Sequence, residues 1–190
     1  MAEVDRLRLT DASLVSDIAS ARVHFGDRTA VLVETVKLRR KAAVKFADAS
    51  HWLFTDEALQ QATAAPVAEH RARRLAGAIV HDATCSIGTE LAALRHWADF
   101  TLGSDIDPVR LSMAEHNLGL GGPAVALCRA DALRPVTADA VVVVDPARRS
   151  GARRRFDPRA YLPPLDELLD ALRDRAYVVK CAPGIDFAVL

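Results

Sequence analysis

No apolar run in this 190-residue chain approaches the roughly 20 residues that span a bilayer; the longest strand-like run is Ala140 to Val144. The N-terminal MAEVDRLRL has neither a charged-then-apolar leader nor a small-residue cleavage site. The expected setting is therefore intracellular and cytoplasmic, with no membrane partner. Cysteine is scarce: Cys85, Cys128 and Cys181 stand far apart without a C-x-x-C pair, which predicts reduced thiols rather than a disulfide framework or a zinc site. The six histidines are scattered, no H-E-x-x-H spacing occurs, and no metal is expected. Neither sign of charge dominates, since 25 Lys and Arg face 25 Asp and Glu, so net charge alone selects no polyanionic partner. Lysine is rare, at positions 37, 41, 45 and 180 only, which leaves 21 arginines. Codon bias in a GC-rich genome explains that as readily as function does. What remains, 51% hydrophobic and 26% charged, is a globular composition that suits one domain or one domain with a helical appendage.

Two textures follow each other. Residues 1–75 read as a helical region. Thr10 is a plausible N-cap for a segment carrying Leu14, Val15, Ile18 and Ala19. Asp27 to Phe46 reads as amphipathic, although Ala30 to Val33 also suits a strand. Thr55, with Asp56 and Glu57 behind it, starts a further helix, and Pro66 suits the first turn of another. Residues 76–190 alternate short β-rich runs (78–81, 100–102, 125–128, 140–144 and 177–180) with helix-forming segments at 89–97, 108–118 and 165–174. That alternation predicts a parallel α/β sheet, whose ligands lie at the carboxyl ends of the strands. Val141 to Val144 is apolar throughout, as a strand covered on both faces must be.

The residues just after each run carry the chemistry. The first run leads into Asp82-Ala83-Thr84-Cys85-Ser86-Ile87-Gly88, small residues that let backbone approach a ligand. An ordinary βα turn is the competing reading, and a dinucleotide G-x-G-x-x-G fingerprint is absent. The second run leads into Gly103-Ser104-Asp105-Ile106-Asp107-Pro108. Asp105 lies near the offset at which a carboxylate accepts both hydroxyls of a ribose; Asp107, and on a second reading Asp105, caps the helix from Pro108. After the third run, Asp131 sits where it could accept from an adenine amino group. After the fourth, Asp145-Pro146-Ala147-Arg148-Arg149 begins with a carboxylate that needs a partner or a task. Trp52, Phe54 and Trp97 are read as core, His81 as facing into the sheet, Asn117 as a helix cap, and Cys85 as no nucleophile.

This ordered set resembles the class I S-adenosylmethionine-dependent methyltransferases over about residues 52–187. The D-x-x-C-x-x-G form, with Trp52 to Glu57 and Val67 to Arg71 ahead of it, is similar to trimethylguanosine-synthase-like RNA methyltransferases. Asp145 to Arg149, Leu59 to Thr63 and Val179 to Asp186 resemble bacterial methyltransferases with a C-terminal THUMP-like domain. The resemblance implies a Rossmann-like sheet with an N-terminal helical extension, and S-adenosylmethionine as cofactor. By it, Asp82, Thr84, Cys85, Ser86 and Gly88 hold the methionine part, Asp105 the ribose, and Ile106 and Asp131 the adenine. Asp145 and Pro146 face the acceptor, a base in tRNA or rRNA and by one reading a guanine amino group. Gln61 and Thr63 are lid contacts on the cofactor side. Two departures stand out. Ala147 and Arg148 replace the aromatic that usually stacks the base, so Phe156 or Tyr161 would have to supply a ring. The sequence also stops after the fifth of seven strands, which predicts a sheet edge open to pairing with another chain.

Arg148, Arg149, Arg153, Arg154, Arg155 and Arg159 cluster directly after the candidate catalytic turn. They read either as a rim for RNA phosphates or as a solvated loop. Three other functions compete: a cofactor- or RNA-binding homologue without turnover, a methyltransferase acting on protein or a small molecule, and an NAD enzyme that the missing glycines disfavour.

Overall fold

The computed structural model describes residues 1–47, 49–147, 149–150, 153–154, 161–181 and 185. The chain divides into two compact units, Met1–Gln60 and Gln61–Leu190. The helix that begins at Pro66's turn therefore groups with the sheet rather than with the helices before it.

The first unit is helical: α1 (Ala2–Asp5), α2 (Leu14–Phe25), α3 (Thr29–Ala42) and α4 (Asp56–Gln61). Ala30 to Val33, which also suited a strand, lies inside α3 because Val33 and Val36 join Val4 and Leu9 in one buried cluster at helical spacing. Thr10 is not the cap of α2. That helix starts at Leu14, and Thr10 instead bonds Ser13 through its hydroxyl at 2.9 Å. Thr55 does cap α4, its hydroxyl accepting from the Ala58 N–H at 3.1 Å. Phe46, Trp52 and Phe54 stack with centroids 5.9 to 6.3 Å apart; Phe54 is buried as the core reading expects, while Trp52 is half-buried.

The second unit holds α5 (Ala65–Arg74), β1 (Ile79–Asp82), α6 (Leu91–Leu94), β2 (Phe100–Asp105), α7 (Pro108–Gly119), β3 (Ala126–Arg129), β4 (Val141–Val144), a two-plus-two hairpin of β5 (Arg149–Ser150) and β6 (Arg153–Arg154), α8 (Leu165–Ala171) and β7 (Tyr177–Val179). Five strands form a parallel sheet in the order β3-β2-β1-β4-β7. The order reverses between β1 and β4, and a crevice opens outside strand ends at such a switch point.

Apolar alternation along β4 explains the two helical layers. Val142 and Val144 point into a cluster with Tyr161, Leu165, Leu168 and Leu172, while Val143 packs oppositely with Ala72, Leu91, Leu94 and Ala114. Helix α6 is shorter than the sequence predicts. Beyond Leu94 the bonds shorten to three-residue steps, His96 N–H to Ala93 and Trp97 N–H to Leu94, so the last turn tightens. Gly103 lets α6 sit close on β2, since a Cβ there would lie 2.4 Å from Leu91 Cδ1. Trp97 departs from the core reading. It is 39% exposed, donates its indole N–H to Glu69 at 3.0 Å and lies under the Arg73 guanidinium. No helix is long and apolar enough to cross a membrane among the described residues.

Candidate functional site

Asp82 ends β1, Asp105 ends β2 and Asp145 follows β4, so the parallel register delivers three carboxylates to one edge of the sheet. The loop after β1 is shaped around them. Ser86 adopts φ of 50° and Gly88 of 86°, left-handed conformations that fold the loop back on itself, with the Gly88 N–H bonded to the Cys85 carbonyl at 2.9 Å. The Gly88 backbone is hemmed by Leu118 and Ala114, whose side chains would lie 3.1 to 3.4 Å from a Cβ. Asn117 is not a helix cap; buried in α7, it donates to the Ile87 carbonyl at 3.0 Å and so fixes that loop.

Asp105 ties loop to sheet. Its Oδ2 accepts from the Ser86 N–H and its Oδ1 from the Asp107 N–H, both at 2.9 Å. Each carboxylate oxygen keeps a second lone pair, so the residue can still accept two hydroxyls. Capping α7 falls to Asp107, which accepts from Val109 and Arg110. Ile106 is 63% exposed beside Asp105, its carbonyl taking a bond from Arg129 Nε at 3.0 Å. Asp131 is exposed and accepts from the Leu133 N–H at 3.0 Å. Its segment adjoins Asp105, whose carbonyl accepts from the Ala130 N–H.

Asp82 is 3% exposed and its Oδ1 accepts from the Thr84 N–H at 3.2 Å. Burial foremost, then the nearby charges of Glu90, Asp145 and Asp105, pushes this carboxyl well above the usual carboxylate range. Cys85 is buried beside it, and burial raises its thiol far from the thiolate form, which removes it as a nucleophile. Thr84 reaches across the switch point, its Oγ1 accepting from the Asp145 N–H at 2.7 Å. Pro146 is buried, and Ala147 makes an antiparallel bridge to Leu162.

A second ring of partners joins Thr63 to Lys180, Glu90 and Arg71, to which the sequence reading gave no role. Lys180, just past β7, pairs with Asp145 Oδ2 and donates to Thr63 Oγ1 at 3.0 Å. Glu90, at the start of α6, lies 3.0 Å from Arg71 on α5. Its Oε1 lacks a well-aligned hydrogen bond, so charge holds the pair. Burial raises the Glu90 carboxyl, while Arg71, Thr63 and Lys180 pull it down. These contacts join residues up to 117 positions apart, beyond any local spacing. Lys180→Met should cost about 2 kcal/mol in urea unfolding, because it strands a half-buried carboxylate; an unchanged midpoint would show the pair to be energetically idle.

Tyr161 cannot be the base-stacking ring: it is 0% exposed among Val142, Val144 and Leu168. Arg148, Arg155, Phe156 and Arg159 lie outside the described residues. Arg149, Arg153 and Arg154 fall on the β5–β6 hairpin that follows the Asp145 turn. All three cysteines are free thiols.

Sheet order, helical layers and strand-end acids together define a Rossmann-like methyltransferase fold. A structure from Porphyromonas gingivalis W83, provisionally named a methyltransferase, matches it with a TM-score of 0.69 at 20% identity, over 93% of this chain and 50% of that one. The chain is also 67% identical over 172 residues to two Mycobacterium tuberculosis proteins, from strains CDC 1551 / Oshkosh and H37Rv. Both are named as uncharacterized S-adenosylmethionine-dependent methyltransferases. The match takes in 87% of this chain and 48% of each relative, so the chain spans about half the length of the curated relatives it matches. No family model matches.

Proposed function

We propose that this chain is the catalytic domain of an S-adenosylmethionine-dependent methyltransferase acting on a base in RNA. The observation that carries the reading is Asp105: a buried carboxylate at the end of β2, oriented by two backbone N–H groups and still able to accept two more bonds. The donor set fits the cofactor on its chemistry. Carboxylates at the ends of β1 and β2 suit a cationic, ribose-bearing ligand, and the small residues of the loop Thr84 to Gly88 let its backbone come close to the methionine end. When bound, the cofactor supplies a methyl group already activated on a sulfonium, so the protein contributes position and field.

Asp145 and the Pro146 carbonyl are the acceptor side of this reading. Together they accept hydrogen bonds from the two N–H groups of an exocyclic amine, which draws its lone pair back to the nitrogen and aims it. Thr84 and Lys180 orient Asp145 for that work. Arg148, Arg149, Arg153, Arg154 and Arg155 bind phosphates and orient the RNA without reading its sequence. A base held in a duplex or stem is unstacked first. The outer edge of β7 is a surface for further strand pairing, with another copy as one partner.

Titration calorimetry with S-adenosylhomocysteine tests the cofactor, and tritium transfer from labelled S-adenosylmethionine to total RNA tests the reaction. Binding without transfer would leave a binding protein. Changing Arg153, Arg154 and Arg155 together to Glu should weaken RNA binding and flatten its dependence on salt; affinity that tracks the wild type across salt would remove the arginines from the interface.

A further inference from the structure

Four carboxylates and two cations meet around the loop after β1, and their pairing is uneven. Asp145 has Lys180 from the end of β7, and Glu90 has Arg71 from α5, with the Thr63 hydroxyl beside both. Asp105 spends an oxygen each on the Ser86 and Asp107 N–H groups. Asp82 is left with least. It is 3% exposed, no cation pairs with it among the described residues, and its carboxylate accepts there only the Thr84 N–H at 3.2 Å. The charges that face it, from β2, β4 and the start of α6, are the carboxylates of Asp105, Asp145 and Glu90.

We infer that Asp82 is a specificity residue that selects a positively charged methyl donor over its neutral product: it holds a proton in the free protein and yields it to solvent when a sulfonium enters the ring of acids. The inference rests on the cofactor reading above and adds a charge-sensing role to it. A lone buried carboxylate avoids its desolvation cost by staying protonated. Burial and three like charges act in that direction here. An arriving cation reverses the balance, since opposite charges attract strongly where water is excluded. The Asp82 O–H bond breaks, the proton passes to solvent, and no electrons change hands. The free protein and the complex then carry the same net charge.

S-adenosylmethionine and S-adenosylhomocysteine share every ribose, adenine, amino and carboxylate contact and differ by one methyl and one charge on sulfur. Comparing them leaves only that methyl and its charge, and of the two only the charge can displace a proton. Calorimetry on the 190-residue chain, at pH 6, 7 and 8 and in two buffers of different ionisation enthalpy, counts protons released by each ligand. The sulfonium should release up to one proton more than the thioether. Its Kd should tighten relative to the thioether's by up to tenfold per pH unit across the Asp82 titration. Asp82→Asn should abolish the difference. Equal proton release by the two ligands in the wild type would overturn the inference and leave the cofactor reading standing. A difference that survives in Asp82→Asn would overturn it too. Failure of both ligands to bind would sink both readings. If Asp82→Asn does not fold, the wild-type comparison decides alone.

Discussion

Asp105→Ala should lower the affinity for S-adenosylhomocysteine by roughly a hundredfold or more. Two hydrogen bonds from ligand hydroxyls to a charged acceptor contribute about 1.5 kcal/mol each at the least, and about 3 kcal/mol corresponds to that factor. The substitution also releases the Ser86 and Asp107 N–H groups, so the loop that approaches the ligand loses its tether to β2. Both effects weaken binding and neither unfolds the sheet, because the Asp107 cap of α7 rests on its own carboxylate. Calorimetry measures the affinity, and circular dichroism shows whether the fold persists. Asp131→Ala is the contrast: an exposed acid that offers a single contact should cost far less. Equal losses at both positions, or none at Asp105, would remove Asp105 from the ribose site.

The contrast between these two acids shows what the sequence could and could not supply. Strands β1 and β4 were legible because short β-rich runs, Ala78 to His81 and four valines, each end at an Asp, and a buried strand has few other ways to stop. The acids at the tips followed from that, as did the capping by Asp107, which depends only on neighbours two and three residues on. Lys180 was not legible as a site residue. Its role exists only because β7 lies beside β4 and the Thr63 segment comes within reach of both, a coincidence of topology rather than of spacing. Trp97 was misread for a related reason. Large aromatic rings are commonly core, but here Arg73 and Glu69 on α5 form a polar cover that leaves the ring half-exposed. Tyr161 erred in the opposite direction, because the bridge between Ala147 and Leu162 draws its neighbourhood onto the α8 face.

Acid should weaken the folded state through His81, by about 3 kcal/mol between pH 6.5 and pH 4. The ring is fully buried inside the sheet, with Nε2 2.9 Å from Ser104 Oγ and Nδ1 3.1 Å from Thr137 Oγ1. Burial first, and the nearby Arg175 guanidinium second, lower its pKa to about 4. In the unfolded chain the same imidazole takes up a proton near pH 6.5. Between those values the unfolded state binds the extra proton, so stability falls as pH drops through 6.5 and levels off below about 4. Asp82 and Glu90 work against this slope. Their raised carboxyls bind protons more readily folded than unfolded, which favours the folded state as pH falls. The wild-type curve alone therefore mixes the contributions, and a difference is needed. His81→Gln cannot titrate and keeps a side chain that both donates and accepts hydrogen bonds. The stability difference between wild type and His81→Gln, measured by urea unfolding at half-unit steps, should shift against the wild type by about 3 kcal/mol from pH 7 to pH 4. Parallel curves would mean that His81 gains its proton without opening the sheet, and that the hydroxyl pair accommodates an imidazolium.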